Sequence, residues 1–173
     1  MPIRPVLTWP DERLKAIATP VALVDDDVRQ LISDLFETMY DEQGVGLAAT
    51  QVGVAQRVVV LDCEQDAGGR PLALVNGEIV ERDGTVIWRE GCLSLPGVTA
   101  EVERSARIVV QYLDESGVSQ RLQAEGLTAV CIQHELDHLD GQLYIDRLGL
   151  LERKSTINDY DDFRSKNVLE PVL

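Results

Sequence analysis

Between residues 25 and 42, in DDDVRQLISDLFETMYDE, apolar side chains fall at Val28, Leu31, Ile32, Leu35 and Met39, the spacing of one helical face. Acidic residues crowd the start, where the helix dipole favours them, so the segment predicts an amphipathic scaffold helix. The pattern then changes. GVGLAATQVG at 44–53 is glycine-rich, and RVVVLD at 57–62 is a β-branched run that reads as a buried strand. PLALVNGEIV, TVIWRE, ARIVVQYLD and VSQRLQAE are short, β-rich and punctuated by NG, DG and ESG, which predicts antiparallel strands joined by hairpins. The helical period returns at about 126–140, where Leu127, Val130, Cys131, His134 and His138 share a face and Gly141 stands ready as a C-terminal cap. LYIDRL follows as a short extended piece. From Leu151 to Leu173 no period is sustained, and the tail is read as an appendage of uncertain order.

These elements predict an α+β fold in which antiparallel β-sheets pack around a central helix. One domain over residues 1–150 is expected, with the 151–173 tail attached, because no linker, repeat or low-complexity run divides the chain. A chain of 173 residues is long enough to bury about 70% of its unfolded surface without disulfide staples. The net charge of −14 argues against broad binding to nucleic acid or anionic membranes, since the average field repels phosphates. No apolar run approaches membrane-spanning length, and the opening MPIRPVLTWPDERLK lacks the apolar core and cleavage site of a secretory signal. Three cysteines in such a chain point to a reducing cytoplasm and to thiols kept for chemistry or packing.

The candidate chemistry lies in QHELDHLDG at 133–141, which holds both histidines of the chain. A four-residue spacing puts His134 and His138 on one helical face, able to share a metal ion, while Glu135 stays unligated and free to move protons. Two solvent-facing histidines on a charged helix would be the plain alternative. Burial of that face disfavours it, because two unpaired buried imidazoles are costly and a metal satisfies both. A catalytic site of this type takes three protein ligands and leaves a position open. With no third histidine, spacing leaves both Cys131, three residues before His134, and Cys92, in the turn-like REGCLSLPG, as thiolate candidates.

Three stretches in order, GVGLAATQVG at 44–53, EGCLSLPG at 90–97 and QHELDHLDG at 133–141, resemble the signature motifs of the peptide deformylases. The similarity runs over most of residues 3–147. It implies that Cys92, His134 and His138 bind the metal, that Glu135 is the acid/base, and that Gln51 and the backbone N–H of Leu93 face the developing oxyanion. It further implies one divalent ion per chain, Fe(II) natively with Zn(II) or Ni(II) substituting, which suits a thiolate–imidazole set. The implied reaction removes the N-formyl group from the starting methionine of new polypeptides and releases formate. Leu93, Leu127, Val130 and Cys131 would line the slot for the methionine side chain. Gly44, Val45, Gly46, Glu90 and Gly91 complete the expected substrate cleft, with the main chain at 45–46 suited to pairing with an extended peptide. Glu90 and Arg104 resemble the family's pair that braces the metal loop, although a surface ion pair fits the sequence equally well.

Two departures qualify the expected partners. Gly97, Val98 and Thr99 stand where some members carry a substrate-binding arginine, and the tail sets Arg153, Lys154, Arg164 and Lys166 against Glu152, Asp159, Asp161, Asp162 and Glu170. N-formylmethionyl peptides or nascent chains are the expected partners, with ribosome docking through the tail doubtful and no reading of nucleic acid. The rival readings are a metallopeptidase cleaving internal amides, which the short chain and Cys92 disfavour, and a closed structural site with Cys131 as fourth ligand, which would need no Glu135.

Overall fold

The computed structural model describes residues 2–167. Helix α1 spans Asp26–Asp41, with the Asp25 carboxylate accepting from the Val28 N–H at 3.0 Å and Asp26 and Asp27 in its first turn. Its buried stripe is Val28, Leu31, Ile32, Leu35 and Met39, as the periodicity predicts. Five antiparallel strands form one sheet in sequential order: β1 Gly46–Ala48, β2 Val58–Leu61, β3 Leu72–Cys92, β4 Leu95–Leu113 and β5 Ser119–Glu125. β2 reads as a continuous apolar run because both of its faces are covered. Val58 and Val60 join the core under α1, and Val59 and Leu61 join the core around helix α2, Gly126–Leu139.

The NG and DG signals do not make hairpins. β3 runs through both, so PLALVNGEIV and TVIWRE belong to one 21-residue strand. At Asn76 the backbone turns to φ 53° and the register with β4 shifts, while the side-chain amide clamps the Val21 N–H and C=O at 2.8 Å each. Gly84, at φ 68°, is a kink inside the ladder. Tertiary pairing with β4 outweighs the local turn preference. The true β3–β4 turn is Leu93–Ser94, between paired Cys92 and Leu95, inside the CLSL motif. The ESG signal does mark a hairpin: Asp114 accepts from the Val118 and Ser116 N–H groups, and β5 begins at Ser119.

α2 is buried at every position from Ala129 to Leu139, polar residues included. It therefore runs through the interior of the molecule and cannot be stabilised by an apolar stripe alone; each of its polar side chains needs a partner. Gln133 pairs with the backbone of Ser105 on β4, accepting its N–H and donating to its C=O at 3.0 Å each. At its end Gly141 sits at φ 73°, and a Cβ there would stand 2.5 Å from the Lys15 carbonyl oxygen, so both conformation and packing demand glycine.

The tail differs from its sequence reading over the described residues. Leu150–Asn167 forms helix α3, which packs on β4. Its buried residues are only Thr156 and Tyr160, too few to generate a detectable period. Tyr160 is wholly buried, donates its hydroxyl to the Trp9 carbonyl at 2.8 Å, and meets the Trp9 ring edge-on at 6.0 Å. Residues 168–173 of that tail lie outside the described residues.

Candidate metal centre

Two elements bring the donors together. α2 presents His134 and His138 one turn apart, and the β3–β4 hairpin carries Cys92 on its last residue before the turn. The Cys92 Sγ lies 3.3 Å from His138 Nε2, which lies 3.2 Å from His134 Nε2, and the three ligating atoms are all within 4.8 Å of one another. Cys131 is not part of this set. Its sulfur is directed at the Val45 carbonyl, 3.7 Å away.

The donors are held from behind. The His134 Nδ1–H donates to Glu90 at 2.8 Å, which fixes the ring so that Nε2 faces the other ligands. Glu90 receives a fork from Arg104, with Nε at 2.8 Å and Nη2 at 2.9 Å. Arg104 Nη1 reaches Asp137 at 2.6 Å, and Arg147 grips the same carboxylate at 2.7 and 2.8 Å. Arg104 and Glu90 are both buried, so the pair is a brace inside the protein and not a surface ion pair. With both Glu90 oxygens committed, its side chain supports His134 and does not reach for substrate. Asp137, Arg147 and Ser94 were missed from sequence. For Asp137 the signal existed: a carboxylate on a helix buried all round requires a buried cation.

Burial opposes charge on His134, but the Cys92 sulfur and the Glu90 and Glu135 carboxylates prevail and raise its pKa well above the ordinary value. His138 moves well down, first through burial and then through the positive charge of His134 and Arg104. Burial, reinforced by Glu90, lifts Glu135 to about 7, with the opposing charges of His134 and Arg104 failing to offset it. Among the described residues, Glu135 Oε2 and His138 Nδ1 are buried atoms with no hydrogen-bond partner. A convergent thiolate–imidazole set next to an unpartnered carboxylate fits a divalent metal with its acid/base.

A cleft of about 440 Å³ opens in front of these groups and is lined by all of Gly44, Val45, Gly46, Gln51, Glu90, Gly91, Leu93, Leu127, Val130, Cys131, His134 and Glu135. Trp88 and Pro96, not singled out from sequence, line it as well, as does Val98. Gln51 lies in the short turn after β1, where its Oε1 accepts the Ala48 N–H at 2.9 Å. That orients Nε2 toward Ser94 Oγ at 3.1 Å and the Cys92 sulfur at 3.7 Å. The two glycines are set by close approach. A Cβ at Gly44 would stand 2.8 Å from Leu93, and one at Gly46 would stand 2.7 Å from both the Cys131 sulfur and Glu135 Oε1. The arrangement is equipped for metal-assisted hydrolysis of a small carbonyl group with a proton carrier beside it.

Comparison with known proteins agrees with this geometry. The family model described as polypeptide deformylase matches residues 3–154. A peptide deformylase of Alkalilimnicola ehrlichii is 54% identical over 154 residues, 89% of this chain and 86% of the relative. One from Neisseria meningitidis is 49% identical over 86% of this chain and 88% of its own length. The crystal structure of a peptide deformylase from Legionella pneumophila superposes with a TM-score of 0.91 at 42% identity, over 98% of this chain and all of that one. The Ehrlichia chaffeensis enzyme in complex with actinonin gives 0.88 at 39% identity, over 96% and 98% of the two chains.

Proposed function

The chain belongs to the peptide deformylase family, and on that premise we propose how its own residues divide the work. It is a metal-dependent hydrolase that removes the N-formyl group from the N-terminal methionine of new polypeptides and releases formate. The observation that carries the assignment is the convergence of Cys92, His134 and His138 within 4.8 Å beside Glu135. These three hold the ion, with Fe(II) the native choice and Zn(II) or Ni(II) able to replace it, in line with the preference of mixed thiolate–imidazole sites. A metal held there would supply Lewis acidity to the carbonyl and to a nearby water. Glu135, unpartnered at Oε2, would hold the proton released during the reaction and return it to the leaving amine. The Gln51 amide, held by Ala48, and the Leu93 N–H donate to the oxyanion as charge develops. The main chain of Val45 and Gly46 and that of Gly91 receive the peptide, and Leu127, Val130 and Cys131 face the methionine side chain. We take residues 1–150 as the catalytic unit and 151–173 as its appendage.

Formate release from a formyl-methionyl tripeptide, with the acetylated peptide as control, tests this reading on protein reconstituted anaerobically with Fe(II) or Ni(II). Release from the formylated peptide alone is expected, abolished by a strong chelator and restored by the metal. Protein that holds one metal per chain yet releases nothing would overturn it. A second prediction follows from packing. Gly46→Ala drives a methyl against Cys131 and Glu135, and a displacement of that size lowers kcat/KM by roughly a hundredfold. Metal content measured by atomic absorption should stay unchanged, because none of the three ligands touches that methyl.

No helix among the described residues is long and apolar enough to cross a membrane, and the reading as a cytoplasmic protein acting on nascent chains rests on the reaction it performs. The mixed charge of the tail gives no support to ribosome docking through it. Equal recovery with ribosomes of the full chain and a form ending at residue 150 is the corresponding expectation.

A further inference from the structure

Along the end of β3 burial alternates, with Glu90 buried and Arg89 exposed, so the cleft has a carboxylate set into its wall and a cation at its rim. Arg89 is the one lysine or arginine lining the cleft among the described residues. Two carboxylates line it as well, and neither is paired with Arg89. Glu90 is committed to Arg104 and His134, and Glu135 is buried on α2.

Two contacts hold the Arg89 guanidinium. Its Nη1 donates to the Thr99 hydroxyl at 3.2 Å, and its Nη2 stands 3.7 Å from the carboxylate of Glu101, the residue opposite it on β4. The second contact is longer than a hydrogen bond, and the two side chains are 61% and 63% exposed, so water screens the pair and Glu101 holds Arg89 weakly. Thr99 takes one N–H of the planar fork, and the others face an environment open to an oxygen acceptor.

Distance sets which part of a substrate Arg89 meets. Three residues of extended strand separate it from Cys92, about 10 Å at roughly 3.3 Å per residue. A peptide whose formyl carbon lies at the ligands, and whose chain runs extended along the same wall, covers that length by its third residue. We propose that Arg89 selects for an acidic side chain at the third residue of the formylated peptide, whose carboxylate takes the donors that Glu101 leaves open. This deepens the deformylase reading and rests on it. The net charge of −14 favours cationic peptides at long range, so a preference for the acidic one isolates the local contribution of the rim.

The test measures kcat/KM for formate release by the Ni(II)-loaded protein from formyl-methionyl-alanyl-aspartate amide and formyl-methionyl-alanyl-lysine amide, the amides removing the terminal carboxylate. The aspartate peptide is expected to be favoured about three- to fivefold, the range an exposed ion pair supplies. At about 1 M salt, where charges more than roughly 3 Å apart are screened, the preference should fade. Both peptides are assayed on one preparation, so their ratio is insensitive to the fraction of folded or metal-loaded protein. Arg89→Glu should invert the preference, and Glu101→Gln, which removes the competing carboxylate, should raise it. Equal rates in the parent, or a preference for aspartate that survives in Arg89→Glu, would overturn the proposal and leave the deformylase reading standing, because both peptides are still cleaved. Release from neither peptide would overturn that reading, and the role of Arg89 with it.

Discussion

Replacing Glu135 by glutamine is expected to lower kcat for formate release by about 10²–10⁴-fold while one metal per chain is retained. The structure separates the two properties. Glu135 contributes no atom to the cluster of Cys92, His134 and His138, and its Oε2 has no hydrogen-bond partner. Burial brings its carboxyl to about 7, where neither accepting nor returning a proton is strongly uphill at neutral pH. Glutamine fills the same space and can still hydrogen-bond, but it cannot carry the proton. The variant should melt no lower than the parent, because it removes a buried carboxylate that the fold satisfies incompletely. Metal analysis, steady-state kinetics and a thermal melt on one preparation decide the matter. Loss of metal with turnover largely intact would contradict the assignment.

Helices α1 and α2 were legible because their signals are local. Asp25 caps α1 and Gly141 ends α2, and the boundaries expected from those residues agree with the observed ones to within a residue or two. The strands were harder to read, since NG at 76–77 and DG at 83–84 are hairpin signals only when no longer-range pairing competes. Here the 95–113 strand pairs along almost the whole of 72–92 and converts both into irregularities within one ladder. α3 was missed for a different reason: a helix anchored mainly through Tyr160 on Trp9 has no stripe to detect.

At the site, the meeting of Cys92, His134 and His138 beside Glu135 was readable from motif order, but the depth of the support behind them was not. Sequence spacing alone cannot distinguish a surface Glu90–Arg104 pair from a buried one, because it does not say that α2 is enclosed on every side. Once the helix is buried, the sequence HELDH carries four ionisable groups into the interior, and each demands a partner. Arg104 and Arg147 answer Asp137 directly, and Arg104 reaches His134 through Glu90.

Arg104→Ala should therefore be the most destabilising single change outside the ligands, by about 3–5 kcal/mol, because it leaves Glu90 and part of Asp137 buried without their cation. Its effect extends to the metal. Glu90, freed from the fork, no longer holds the His134 ring against a fixed partner, and loss of such support typically weakens metal binding 10–100-fold. Arg104→Lys separates charge from geometry: an ammonium keeps the positive charge but cannot make the two-pronged contact with Glu90 while also reaching Asp137. It should recover part of the stability and less of the metal affinity. Urea unfolding of all three proteins, alongside competition with a chelator of known affinity, measures the two effects separately. If Arg104→Ala lost less than about 1 kcal/mol and held its metal as tightly as the parent, the chain from Arg147 through Asp137, Arg104 and Glu90 to His134 would not be what orients the ligand.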